Sequence, residues 1–131
     1  MTEEMAEQAS EERTVLVVED ELPLRQLAVR ALGKRGYRVL EAENGFGALE
    51  FIDDDDNAID LVLSDVMMPE MDGATLLRAI RARRPNVRVI MISGYGESIL
   101  GGLLDQSDGV LFLPKPFSLN ELLDKVDVAF A

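Results

Sequence analysis

Two kinds of hydrophobic pattern alternate along the chain: short unbroken apolar runs, and stretches whose apolar positions recur every three or four residues. The first reads as buried strand and the second as amphipathic helix. Thr14-Val-Leu-Val-Val18 is apolar almost throughout, so it predicts a central strand buried on both faces. Pro23 suits the first turn of a helix, and Leu24, Leu27, Ala28, Ala31 and Leu32 follow at helical spacing until Gly33 and Gly36 close it. Arg38-Val-Leu-Glu-Ala42 is shorter and more polar, which suits an edge strand. Asn44-Gly45 reads as a turn before a brief helix faced by Ala48, Leu49 and Ile52. The run Asp53 to Asp56 with Asn57 reads as a solvated loop.

A third strand runs from Asp60 to Asp65, and the chain then turns through Pro69 and Asp72-Gly73 into a helix from Ala74 to about Arg84. Pro85 stops that helix. Val87-Arg-Val-Ile-Met-Ile92 is a fourth strand, followed by Ser93-Gly94. Ser98 to Leu104 has helical character weakened by Gly101-Gly102, each glycine costing about 1 kcal/mol relative to alanine. Gly109-Val-Leu-Phe-Leu113 is a fifth strand ended by Lys115-Pro116. Ser118 with Glu121 three residues later forms a capping-box signature for a last helix carrying Leu122, Leu123, Val126 and Phe130.

Strands alternating with helices in this way predict an α/β fold, with a parallel sheet and right-handed crossovers. The 131 residues suffice for one domain with a real core. That domain is expected over residues 13–131, and the polar, acidic residues 1–12 read as a disordered tail or a linker. No internal repeat or second domain is visible.

Charge and missing residue types then narrow the chemistry. A net charge of -12 argues against direct nucleic-acid binding and against contact with an anionic membrane surface. No apolar run approaches the length of a membrane span. The chain has no cysteine, hence no disulfide framework, which is compatible with a cytoplasmic location. It has no histidine either, which removes Ser-His-Asp and Cys-His hydrolases and any histidine general base. Chemistry here must run on carboxylates, hydroxyls and lysine, with or without a metal.

Such residues sit at the ends of the expected strands: Glu19 and Asp20 on the first, Asp65 on the third, Ser93 on the fourth and Lys115 on the fifth. Parallel strands bring their carboxyl ends to one edge, where open α/β sheets bind ligands. Taken singly, each has a dull role: Asp65 and Ser93 in turns, Glu19-Asp20-Glu21 capping a helix, Lys115 in solvent. Together, two or three carboxylates repel unless a cation lies among them. Hard oxygen donors with room for water suit Mg²⁺. A lysine and a hydroxyl beside them could hold a phosphoryl group, with the Asp65 carboxylate as the nucleophile.

The ordered motifs Val-Val-Glu19-Asp20-Glu, Ser-Asp65-Val-Met-Met-Pro-Glu-Met-Asp-Gly, Ile-Ser93-Gly-Tyr and Phe112-Leu-Pro-Lys115-Pro-Phe resemble the receiver domain of a two-component response regulator. The similarity extends over nearly all of Thr14 to Ala131. It implies a flavodoxin-like, doubly wound fold with strand order 2-1-3-4-5. It also implies that Asp65 is the phosphoacceptor and that Asp20, Asp65 and the Met67 backbone carbonyl hold Mg²⁺, with Glu19 acting nearby. Ser93 resembles the switch hydroxyl, Phe112 the aromatic that turns with it, and Lys115 the lysine that pairs with phosphoryl oxygens. Gly94 leaves the gap through which the phosphoryl group enters. The implied partners are a histidine kinase or a histidine phosphotransfer protein, and the implied output is a shift of the face built from the fourth helix, fifth strand and fifth helix. Two departures are mild: Glu-Asp stands where two aspartates are common, and serine replaces threonine as the switch.

The phrases Ile-Ser-Gly-Tyr-Gly-Glu and Phe-Leu-Pro-Lys-Pro-Phe further resemble receivers at the carboxyl end of hybrid histidine kinases, notably the alphaproteobacterial cell-cycle kinase type. Three other readings are weaker. A pseudo-receiver that only docks partners would not need the full set of site residues. A flavodoxin-like cofactor binder would need a phosphate cradle where Glu19-Asp20-Glu21 stands. An aspartate-based phosphatase usually has a second acid two residues after its nucleophile, where this chain has Met67.

Overall fold

Residues 13–68, 70–93 and 110–131 are described by the structure, a computed structural model. Within them the chain runs β1 (Thr14–Val18), α1 (Leu22–Lys34), β2 (Arg38–Ala42), α2 (Gly45–Asp53), β3 (Leu61–Asp65), α3 (Gly73–Arg83), β4 (Arg88–Ser93), β5 (Val110–Pro114) and α4 (Leu119–Phe130). All strand pairs are parallel, in the order β2-β1-β3-β4-β5, so β2 is an edge as its polarity suggests. The helical segment expected at Ser98–Leu104 lies outside the described residues, as do the tail over 1–12 and Gly94.

Alternation along the strands splits the core into two layers. Leu16 and Val18 of β1, Val62 of β3 and Val89 and Met91 of β4 face Ala48 and Ile52 of α2 and Leu76, Leu77 and Ile80 of α3. Val15, Val17, Leu61, Leu63, Ile90 and Ile92 point the other way, onto Ala28 and Leu32 of α1 and Leu122 and Val126 of α4. A strand covered on both sides has no polar face, which is why the central strands read as unbroken apolar runs. Because side chains alternate, a one-residue slip would exchange both layers, so the register is firmly set.

Local chemistry fixes the helix ends. Asn44 does not make the turn its sequence suggests; its side chain accepts a hydrogen bond from the Gly47 N–H and caps α2. Asp72 does the same for α3, accepting from the Thr75 N–H, so Gly73 is the first helical residue instead of a turn glycine. A Cβ on Gly73 would lie 2.9 Å from the Val66 Cα, so glycine lets α3 begin tight against the end of β3. The left-handed residue of the loop between β3 and α3 is Glu70, with φ 75°. Ser118 and Glu121 form the complete capping box at α4. Among the described residues no helix is long and apolar enough to cross a membrane.

Candidate functional site

The carboxyl ends of β1, β3, β4 and β5 meet at one edge of the sheet and bring acids, a hydroxyl and a lysine together. Glu19 follows β1 directly and is 3% exposed, although it is a carboxylic acid. Its N–H donates to the Ala42 carbonyl at 3.0 Å, continuing the β1–β2 ladder beyond the last paired residue. Its carboxylate accepts from the Glu21 N–H at 3.2 Å. Glu21 occupies the cap position of α1 but makes no side-chain cap bond. The acidic triplet therefore does not cap the helix; one of its members turns inward.

Asp65, the last residue of β3, is also buried. One of its oxygens accepts from the Met67 N–H at 3.0 Å, and the other lies 2.9 Å from Lys115 Nζ. Glu19, Asp20 and Asp65 each offer a carboxylate oxygen within 4.8 Å of the others, Asp20 from the exposed side. Burial pushes the Glu19 carboxyl up, and the Asp65 charge and a bond to Asp20 push further. The Glu21 N–H and the Lys115 charge only partly oppose this, leaving a pKa of about 7 against an ordinary 4.5. Burial alone would pull the Lys115 ammonium down; the hydrogen bond and charge of Asp65, with Glu19 and Glu21 behind, more than offset it and the net shift is upward.

Ser93 ends β4 beside Asp65, whose register partner is Ile92. It is fully buried, and its Oγ has no hydrogen-bond partner among the described residues. Buried hydroxyls are almost always bonded, so this one stands out among the described residues. The Lys115 N–H donates to the Ser93 carbonyl at 2.7 Å, which ties the lysine and hydroxyl segments together. Phe112 lies mid-strand on β5, opposite Met91, and packs half-buried against the layer under α2 and α3.

Of the residues singled out from the sequence, Glu19, Asp20, Asp65, Ser93 and Lys115 thus come together, with the Met67 peptide held against Asp65. Phe112 lies one layer deeper, and Gly94 falls outside the described residues. Sequence reasoning passes over Arg25. Its Nε lies 3.0 Å from Glu41 Oε1, and an Nη reaches the Glu19 carbonyl at 2.8 Å. Its only sequence signal is its position one helical turn past the acidic triplet.

The donor set suits a hard cation: three carboxylates, one of them charged only with difficulty in the absence of a counter-ion. Thiolate- or imidazole-bound metals are disfavoured, since the chain contains neither cysteine nor histidine.

The chain is similar to known proteins over most of its length. The response regulator receiver domain family matches residues 15–127. The sensor kinase CckA of Brucella abortus (strain 2308) is 47% identical over 123 residues, which is 94% of this chain but 13% of that protein. The response regulator receiver protein CpdR of the same organism is 32% identical over 115 residues, 88% of this chain and 94% of its own length. Among solved structures, the receiver domain of the hybrid histidine kinase CckA superposes with a TM-score of 0.76 at 38% identity, covering 90% of this chain and 99% of that one. The resemblance to hybrid-kinase receivers read from the carboxyl-terminal motifs agrees with both matches to CckA. The chain belongs to the response regulator receiver domain family, the phosphoacceptor signalling domains of two-component systems.

Proposed function

We propose that Asp65 is the residue that receives the phosphoryl group, from a phosphohistidine on a histidine kinase or a histidine phosphotransfer protein, in a domain spanning residues 13–131. The observation that carries this reading is the contact of Lys115 with the buried Asp65 carboxylate, 2.9 Å, inside a cluster that includes Glu19 and Asp20. In it Glu19, Asp20, Asp65 and the Met67 backbone carbonyl would hold Mg²⁺, which when bound would neutralise acids and phosphoryl oxygens that otherwise repel.

The chain's own residues do the rest. An Asp65 oxygen attacks phosphorus; the new P–O bond forms as the P–N bond to imidazole breaks, and the imidazole nitrogen keeps the electron pair. Lys115, fully charged at neutral pH, moves with the charge from the carboxylate to a phosphoryl oxygen. Ser93 supplies a donor whose hydroxyl has no competing partner among the described residues. Gly94 leaves room for the entering group, and Phe112 follows the hydroxyl inward. Phosphorylation adds roughly two negative charges, and the conformer that binds them better gains population. That shift passes to the face made by the segment after β4, by β5 and by α4.

The domain turns over no external substrate. Its net charge of -12 disfavours nucleic acid as a direct partner, and it makes no membrane contact of its own. We place it in the cytoplasm, within or beside a larger hybrid kinase. The test is phosphorylation by acetyl phosphate with Mg²⁺, or beryllofluoride binding followed spectroscopically. The native chain responds and Asp65→Asn does not; equal labelling of the variant overturns the assignment.

A further inference from the structure

We infer that Arg25, with Glu41, is a positioning residue that sets the aim of the metal-binding acids, and that the edge strand β2 acts on the site through it. The inference rests on the reading of Glu19, Asp20 and Asp65 as a Mg²⁺ site.

Arg25 lies in the first turns of α1, with its side chain 15% exposed. Glu41 lies on β2, paired with Val17 of β1, and Val17 faces the α1 layer; Glu41 thus meets Arg25 in the same layer. The Arg25 guanidinium spans two acceptors, Glu41 Oε1 at 3.0 Å and the Glu19 carbonyl at 2.8 Å. A planar, rigid fork bonded at both ends fixes the position of what it holds.

What it holds is the peptide between the two acids. The Glu19 carbonyl and the Asp20 N–H belong to one rigid plane, so fixing the oxygen fixes where the Asp20 Cα, and hence its side chain, departs. Glu19 has independent anchors, its N–H on Ala42 and its carboxylate on the Glu21 N–H. Among the described residues no N–H donor or cation is bonded to the Asp20 carboxylate, whose charged neighbours, Glu19 and Asp65, are acids like itself. The aim of Asp20 therefore depends on its backbone, and that backbone is held by Arg25.

The sign of the effect separates positioning from simple electrostatics. Coulomb's law alone says that removing a guanidinium beside a cation site tightens cation binding. Loss of a group that orients first ligands typically weakens metal affinity by 10–100-fold. The experiment is a calorimetric Mg²⁺ titration of Arg25→Met, Arg25→Lys, Glu41→Gln and the Arg25→Met/Glu41→Gln pair, each first checked for native circular dichroism. Asp20→Asn and the native chain serve as references.

Arg25→Met is expected to weaken Mg²⁺ binding at least about tenfold. Arg25→Lys, which keeps the charge but reaches only one acceptor, falls between Arg25→Met and the native chain. Glu41→Gln weakens binding by a smaller factor, and the paired variant is no weaker than Arg25→Met alone. Should Arg25→Met not fold, Arg25→Lys carries the test, since its charge is unchanged and only positioning predicts a loss. Native or tighter affinity in the folded arginine variants overturns the inference while leaving the site reading intact. A native chain that takes up no Mg²⁺, or an Asp20→Asn variant that binds as well as native, removes the site reading and this inference with it.

Discussion

The two ends of the sheet handle polar groups in opposite ways. At the amino end nearly everything is paired. The Thr14 N–H donates to the Asp60 carboxylate at 2.8 Å, and the Asp60 N–H returns a bond to the Thr14 carbonyl at 2.9 Å. Arg84 spends its guanidinium on the carbonyls of Ile52, Asn57 and Asp54, so one side chain closes the loop between α2 and β3. Arg13 and Arg88 lie 4.4 and 5.4 Å from the Phe130 ring centre, and Phe130 stacks on Tyr37. At the carboxyl end the balance is poorer: burial and the Asp65 charge make Glu19 hard to ionise, and the buried Ser93 hydroxyl has no partner among the described residues. The same strands supply both ends, so this deficit is local to one edge. Buried acids and a hydroxyl gathered at a sheet edge suited to ligands are what supports the proposed Mg²⁺ and phosphoryl site there.

Arg84→Ala tests the satisfied end and should have the largest effect on stability. It removes charge-assisted bonds to three carbonyls and is expected to destabilise the fold by about 2–3 kcal/mol, read from the urea midpoint. Mg²⁺ affinity should not change, because no part of the Arg84 network reaches the acids. A variant that lost both would show the two ends to be coupled, and the contrast between them would fail.

Glu19→Gln probes the other end and should act with the opposite sign. Burial and the Asp65 charge disfavour the ionised Glu19, so at pH 8 the metal-free protein folds against that carboxylate. An amide of the same shape still accepts from the Glu21 N–H and carries no charge. The metal-free variant is expected to be more stable than native by about 1–2 kcal/mol, while its Mg²⁺ binding weakens. Thermal melts with chelator and with Mg²⁺ check both halves. A variant less stable than native without metal would mean that Glu19 is held by attraction, and that the carboxyl end is not deficient at all.

Much of this contrast is legible in the sequence, because strand ends are. β1 and β2 appear at their observed bounds, since an apolar run stops where polar residues begin. Four strand ends carrying acids, serine and lysine then meet once the sheet is taken as parallel. The less legible features depend on contacts between distant parts of the chain. Asn44-Gly45 and Asp72-Gly73 look like turns, yet both are helix starts, because a cap and a turn use the same residue types. The positive φ of Glu70 carries no glycine to announce it. Arg25 looks like one more polar position on α1; its partners are a backbone carbonyl and a side chain on a neighbouring strand, which periodicity does not register.

The smallest expected effect comes from an acid that lies near the site in sequence but has its own partners. Asp72 caps α3 seven residues after Asp65, and the Thr75 backbone and hydroxyl, with Arg78 behind, pull its pKa below the ordinary 3.8. A folded-state pKa below the unfolded one means that ionised Asp72 contributes stability above about pH 4. That contribution is lost as the pH falls through the depressed value. Asp72→Ala should cost about 1 kcal/mol at neutral pH, as for other helix caps, with the difference from native shrinking in acid. Asp72→Asn should keep most of the cap and flatten the acid limb of the stability curve. Neither should move Mg²⁺ affinity, although both remove a negative charge from the carboxyl end of the sheet. Urea unfolding at a series of pH values, paired with Mg²⁺ titration, tests this. A Mg²⁺ affinity that fell with Asp72→Asn would show that the site responds to the summed charge of that end, and not only to the acids gathered at the strand ends.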